Sequence, residues 1–391
     1  MIAKLTCQSK ENSKSIIGVS GVQSILQSLS ESAPSVKTVC IGGINASNCQ
    51  RVLYQSATPN KTLDGIAIVS AIMAASDPKA AATNLAKLVS YSPPFAAHLP
   101  ATPQTLSIDD IKAKVPELTK KLAEKKPLCH NMTNLVVQNF AANVALAVGG
   151  SPIMSNNSVE AADLAALGGS LVINMGTTTP EMRNHHLGSL AAYNAAGGPV
   201  LLDPVGAGAT ASRRKGVKVL MRGGYFDVIK GNEGEIRTVS GAAGVKQHGV
   251  DSGAGALSLE ERAQLVKYVA ARERNVVLMT GTTDVVSDGA RTFAVSNGHS
   301  LLGEITGSGC TLGTTIASYL AVERSDKLLA VVAGLLHYEI AGERAAARKD
   351  IVRGPGSFVP AFIDELYLIR QESVVGDGEW VEGARVEAID V

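Results

Sequence analysis

The residues best suited to chemistry fall in five glycine-punctuated stretches. In "LLGEITGSGCTLGTTIASYL", residues 301–320, the turn Gly307-Ser308-Gly309-Cys310 opens directly onto an apolar helical run. Gly307 and Gly309 let the backbone approach an anion without a Cβ in the way, and the unpaired N–H groups of a helix start face it. The helix adds partial positive charge there, stabilising negative charge by roughly 0.3–2 kcal/mol. Read alone, the same glycines also fit an ordinary tight turn.

Asp203 ends the apolar run of "LLDPVGAGAT". A carboxylate there can hold Mg²⁺ through water beside nucleotide phosphates, or simply form a turn before Pro204. In "FDVIKGNEGEI", Lys230 can point at a phosphate. Asn232 and Glu235 are spaced Asn-x-x-Glu, which suits a metal–phosphate site or a helix cap with its box partner. Glu233 reads as a solvated acid. "LMTGTTDVVSDG" offers the Thr280 hydroxyl and the Gly281 N–H to a nucleotide, or a plain strand-ending turn. In "CHNMTNLVVQNFAANVALAVGGSPIMS", Asn131, Thr133 and Asn134 precede or begin a helix and Met154 follows a Gly-Gly-Ser-Pro turn. Met154 can line an apolar pocket or pack in the core, and Asn134 can cap the chain.

These residues act together only if strand ends converge. After residue 107 the candidate strands are "SLVINMG", "GPVLLDPVG", "FDVIKGN", "NVVLMTG" and "TFAVSNG". Between them lie alanine-rich helical stretches such as 133–148, 257–272 and 327–348. Such alternation predicts an α/β fold, a largely parallel sheet with helices on both faces and ligands beyond the C-terminal strand ends.

Before that region, strands near 3–6, 36–43 and 65–72 alternate with helices near 20–30, 47–56 and 78–88. Their β-branched runs without polar alternation suit parallel strands buried on both faces. Three such units cannot close an eight-fold barrel, which needs roughly 200 residues or more. Residues 91–107 hold four prolines and almost no charge, as an interdomain linker does. The expected division is therefore 1–90, a linker at 91–107, a large domain at 108–371, and a polar, mobile tail at 372–391.

With 36 Lys+Arg against 35 Asp+Glu, the chain carries no field to hold nucleic acid or an anionic membrane. The five cysteines, Cys7, Cys40, Cys49, Cys129 and Cys310, are odd in number and lack metal-ligand spacing, so a reduced thiol state is expected. With no apolar leader or membrane-spanning run, a soluble cytoplasmic protein is expected.

Residues 108–371 closely resemble hydroxyethylthiazole kinase, a thiamine-salvage enzyme with the ribokinase-like fold. "HNMTNLVVQNFAANVALAVGGSPIMS", "LLDPVGAGAT", "VIKGNEGEI", "MTGTTD" and "ITGSGCTLGTTIA" carry the match. The resemblance implies thiazole contacts at Met154, Gly307 and Asn134. It implies ATP binding at Lys230, Thr280 and Gly281, and Mg²⁺ at Asp203 and Glu235. Many family members have Arg where this chain has Lys230, so a point charge replaces a bidentate fork. Related sugar kinases place an aspartate base where Cys310 falls. The resemblance therefore makes Cys310 the group nearest the attacking hydroxyl. A thiol of pKa about 8.5, lowered by a helix start, is a weak base there, or else Cys310 merely packs under the turn. A homo-oligomer, trimer or hexamer, is implied as well.

The short piece resembles the end of thiamine-phosphate synthase, a TIM-type β/α barrel. The match lies in "SKSIIGVSGVQSIL", "VCIGGINASN" and "LDGIAIVSAIMAASDPKAA". The resemblance implies a thiazole-phosphate site at Gly43, Val69 and Ser70. It aligns Lys10 with a pyrimidine-diphosphate lysine, although "TCQSKENSK" departs from the Thr-rich motif. The order of the two pieces is similar to fungal fusions of the two enzymes, with the first five barrel strands missing and no synthase turnover expected. The function expected is ATP- and Mg²⁺-dependent phosphorylation of 4-methyl-5-(2-hydroxyethyl)thiazole. The alternatives are a kinase for another small alcohol and a non-catalytic thiazole-binding or assembly protein.

Overall fold

The computed structural model describes residues 2–4, 17–100, 105–241 and 257–391. The chain divides into two units, Met1–Ala97 and His98–Val391.

In the first unit, β1 (Ile2–Lys4), β2 (Val39–Ile41) and β3 (Gly65–Ala67) form a parallel sheet in the order β1-β2-β3. Helices α1 (Gly18–Ser32), α2 (Cys49–Ser56), α3 (Ser70–Met73) and α4 (Pro78–Ser90) connect or follow these strands. Val22, Leu26, Cys40, Ile44, Cys49, Val52 and Leu85 make its core. Burial pushes the Cys40 thiol up to about 11, so it packs as a small apolar residue. The expected linker is partly folded. Phe95, in a short 3₁₀ turn Pro94–Ala96, sets its ring edge-on to Tyr54 at 5.5 Å, so the unit runs on to Ala97.

Among the described residues the second unit is a three-layer sandwich around nine strands. Its first strands are β4 (Leu128–Met132), β5 (Ser151–Ile153), β6 (Ser170–Asn174), β7 (Val200–Asp203) and β8 (Val228–Asn232). Then come β9 (Val276–Thr280), β10 (Asp284–Ser287), β11 (Thr292–Val295) and β12 (Val386–Ala388). The sheet order is β12-β11-β10-β9-β8-β7-β6-β4-β5. From β5 to β9 every pairing is parallel, and β10 to β12 add an antiparallel edge.

Alternate residues of each strand serve opposite faces. Val172, Leu201, Val228, Val276 and Leu278 join one core, whereas Leu171, Ile173, Val200, Leu202, Ile229, Val277 and Met279 join the other. Both sets are buried, which explains why these strands read as unbroken apolar runs. Helices α5 (Ile108–Lys125), α6 (Gln138–Val148), α7 (Ala161–Ala166), α8 (Pro180–Ala196) and α9 (Ala211–Gly223) are followed by α10 (Glu233–Ser240) and α11 (Leu259–Glu273). Last come α12 (Ser308–Val322), α13 (Lys327–Ala347) and α14 (Pro355–Val375). Helices α5, α6, α12, α13 and α14 cover the first face, and α8 to α11 the second.

Two readings of the sequence need correction. The segment after residue 371 is not a loose tail. Helix α14 continues to Val375, Trp380 and Val381 are buried, and β12 pairs with β11. The Trp380 indole N–H donates to Ser373 Oγ at 2.9 Å, so one aromatic anchor holds a segment too polar to show a pattern. Glu233 is not solvated either. It is buried, accepting from Arg237 and from the Leu257 N–H.

Candidate active site

Three neighbouring parallel strands, β6, β7 and β8, end in the polar residues Asn174, Asp203 and Asn232, and β4 runs on from Met132 into Thr133 and Asn134. Register places Asn174 opposite Asp203, and the β7–β8 pairing continues to bring Asp203 level with Lys230. Asn174 is the hub. Its Nδ2 donates to Asp203 Oδ2 at 3.1 Å, and its Oδ1 accepts from Asn134 Nδ2 at 3.1 Å and from the Gly176 N–H at 2.9 Å. Asn134 Nδ2 also lies 3.4 Å from Cys310 Sγ. Asn134 follows β4 as the chain turns into α6, which begins at Gln138 rather than at residue 133.

The start of α12 closes the cluster. Gly307 has φ 89°, and a Cβ there would stand 2.3 Å from Val137 Cγ1, so only glycine fits. No side-chain cap hydrogen bond closes the start of this helix. Lys230 Nζ donates to the Gly309 carbonyl at 2.7 Å and to Asp203 Oδ2 at 3.2 Å. Lysine, helix start and carboxylate thus share one buried corner.

Glu235 stands beside it on α10. Its two oxygens accept from the Gly206 N–H at 2.7 Å and the Asn232 N–H at 2.8 Å, while Asn232 Oδ1 accepts from the Glu235 N–H. The capping box and the cluster position are therefore both present in Glu235. Burial and the Asp203 charge push its carboxyl up to about 7. Burial likewise raises the Asp203 carboxyl against the pull of Lys230. Burial pulls the Lys230 ammonium down, but the charges of Asp203 and Glu235 outweigh it and keep the group protonated.

Cys310 departs from expectation. Burial and the neighbouring Asp203 charge push its thiol up to about 11, against the Lys230 charge and the Asn174 and Asn134 hydrogen bonds. The shift runs upward, opposite to the lowering expected from a helix start, and the thiol keeps its proton at neutral pH.

Asp203 Oδ1 is buried and has no hydrogen-bond partner among the described residues. Such an orphan oxygen beside Glu235 suits a hard cation. Among the described residues no group of three or more His, Cys, Asp or Glu could hold a metal by itself.

The structure thus brings Asn134, Asp203, Lys230, Glu235, Gly307 and Cys310 together. Thr280 lies one strand further, opposite Asn232, and the Gly281 N–H donates to the buried Asp284 at 2.7 Å. Met154 follows β5 at the sheet edge, half-buried and level with Asn131, without a hydrogen bond to the cluster. Asn174 and Asp284 were missed. Asn174 carried one signal, a polar residue ending an apolar strand run. Asp284 carried none, because β10 was not expected.

In the first unit, Gly43 and Val69 each lie two residues past the paired ends Ile41 and Ala67, and Ser70 begins α3. Lys10 lies outside the described residues.

The hydroxyethylthiazole kinase family model matches residues 119–372. A probable thiamine biosynthetic bifunctional enzyme of Schizosaccharomyces pombe is 40% identical over 377 residues, covering 95% of this chain and 71% of that protein. Hydroxyethylthiazole kinase of Moorella thermoacetica is 43% identical over 255 residues, 65% of this chain and 92% of that one. The solved hydroxyethylthiazole kinase of Pyrococcus horikoshii superposes with a TM-score of 0.62 at 35% identity, covering 71% of this chain and all of that one. The family match, the relatives and the shared fold meet on the unit that holds the Asp203–Lys230–Cys310 corner: the chain belongs to the hydroxyethylthiazole kinase family.

Proposed function

We propose that this chain transfers the γ-phosphoryl group of ATP to the primary hydroxyl of 4-methyl-5-(2-hydroxyethyl)thiazole. The observation carrying the reading is the convergence of Asp203, Lys230 and Cys310 on the uncapped start of α12. The hydroxyl oxygen forms the new bond to the γ-phosphorus, the bond to the bridging oxygen breaks, and ADP leaves. A loose transition state takes little proton transfer early, so no strong base is required. The N–H groups of residues 307–310 and the Lys230 ammonium face the negative charge on the moving group. Cys310, protonated, packs beside the hydroxyl and excludes water. A Mg²⁺ held by Asp203 and Glu235 would supply charge neutralisation across the phosphates. Thr280 and Gly281 face the nucleotide, and Asn134, Gly307 and Met154 face the thiazole.

A homo-oligomer goes with this reading. Leu135, Val136, Leu146, Val159 and Leu167 are exposed on the segments flanking edge strand β5, apolar side chains that a second copy would cover. Light scattering should give a trimer or hexamer. We assign residues 1–97 no thiamine-phosphate synthesis of their own, because the three strands among the described residues cannot close a barrel.

The test is ATP consumption by the purified chain with the thiazole, a pyrimidine alcohol and a sugar, beside an assay for thiamine-phosphate synthesis. Thiazole-dependent ADP release with no synthase product is expected. Turnover of a sugar but not the thiazole, or thiazole binding without phosphate transfer, overturns the reading.

A further inference from the structure

The strand-end turn that carries Met154 is tied to the core by one side chain. His130, on β4, is fully buried, and its Nε2 lies 2.8 Å from the carbonyl oxygen of Ser155, the residue after Met154. A carbonyl only accepts, so Nε2 carries the proton and Nδ1 is left as a bare acceptor. Nδ1 has no partner among the described residues. The hydroxyl of Tyr193, on α8, is buried and equally without a partner. The two rings lie 5.7 Å apart between centroids, tilted by 44°. An unmatched acceptor and an unmatched donor on neighbouring rings are complementary in kind.

We propose that His130 is a positioning residue for the thiazole side of the site, holding the Met154–Ser155 turn through its Nε2–H while the Tyr193 hydroxyl holds the ring from behind. Burial pulls the imidazole pKa down, against the Ser155 hydrogen bond and the charge of Glu160. The ring is therefore neutral at pH 7 and keeps one tautomer. This rests on Met154 facing the substrate, as in the function proposed above.

Three variants test it in the full chain. His130→Leu removes the donor, His130→Gln keeps an amide N–H at similar reach, and Tyr193→Phe removes the hydroxyl alone. In His130→Leu, KM for the thiazole should rise roughly three- to tenfold, the effect of one lost hydrogen bond. The values of kcat and KM for ATP should stay within about twofold. His130→Gln should recover most of the loss, and Tyr193→Phe should show a smaller rise. An unchanged thiazole KM in His130→Leu, or equal losses in Leu and Gln, overturns the proposal.

A readout in the substrate-free protein separates this from failure of the kinase reading. The ¹⁵N shifts of His130 should report the neutral Nε2–H form at pH 7. The Met154 methyl resonance should move in His130→Leu and return in His130→Gln. An Nδ1–H tautomer or a charged ring overturns the proposal whether or not the thiazole is turned over. If His130→Leu fails to fold, the His130→Gln kinetics and the tautomer decide.

Discussion

Cys310 shows why a helix start does not by itself activate a thiol. The Lys230 ammonium and the Asn174 and Asn134 hydrogen bonds favour the thiolate, but burial and Asp203 oppose it and prevail. Alkylation by iodoacetamide should accordingly be slow at pH 7–8 and climb about tenfold per pH unit toward a plateau near 11. A plateau below pH 9 contradicts the assignment. The same shift sets a stability window: the folded pKa exceeds the unfolded 9.0, so the contribution is complete below that pH and is lost as pH rises toward 11. Replacing Cys310 by Asp introduces a group that ionises far more readily than this thiol. Cys310→Asp should keep or raise kcat while lowering Tm, since it sets a second carboxylate beside Asp203. Loss of activity in a folded Cys310→Asp protein would show that the thiol has a role beyond packing. Asp203→Ala should reduce kcat roughly 10²–10³-fold, the scale of losing one preorganised charged group. It also strands Lys230 in the interior, so thermal melts should accompany the kinetics.

At the level of elements, the parallel strands were legible because sandwiching buries both their faces and leaves unbroken apolar runs. Strand β12 was not. Of its three residues only Val386 is buried, and an edge strand that short carries no period to read. Its anchor is Trp380, the single tryptophan of the chain. Trp380→Ala should cost about 3–5 kcal/mol. Because no other indole contributes, intrinsic fluorescence of the parent chain reports docking of this segment directly. A variant with an unchanged denaturation midpoint would mean that the segment contributes nothing to stability.

At the level of the whole molecule, the two units keep separate cores. The family match lies wholly within the second. A protein comprising residues 98–391 should therefore retain kcat and thiazole KM within about twofold of the full chain, measured by coupled ADP release. A collapse of activity in that fragment would show that the first unit completes the kinase.

The sequence by itself determined the α/β class, the strands of the sheet's centre and most of the residues at their tips. Periodicity and glycine punctuation are local signals, and each can be read within a dozen residues. Only the tertiary structure decided what those residues do to one another. The Asn174 hub, the pairing of Lys230 with Asp203 and Gly309, the raised Cys310 thiol and the His130 tie to Ser155 join segments far apart in the chain. Charge and burial act through space, and that distance is set when the strands align.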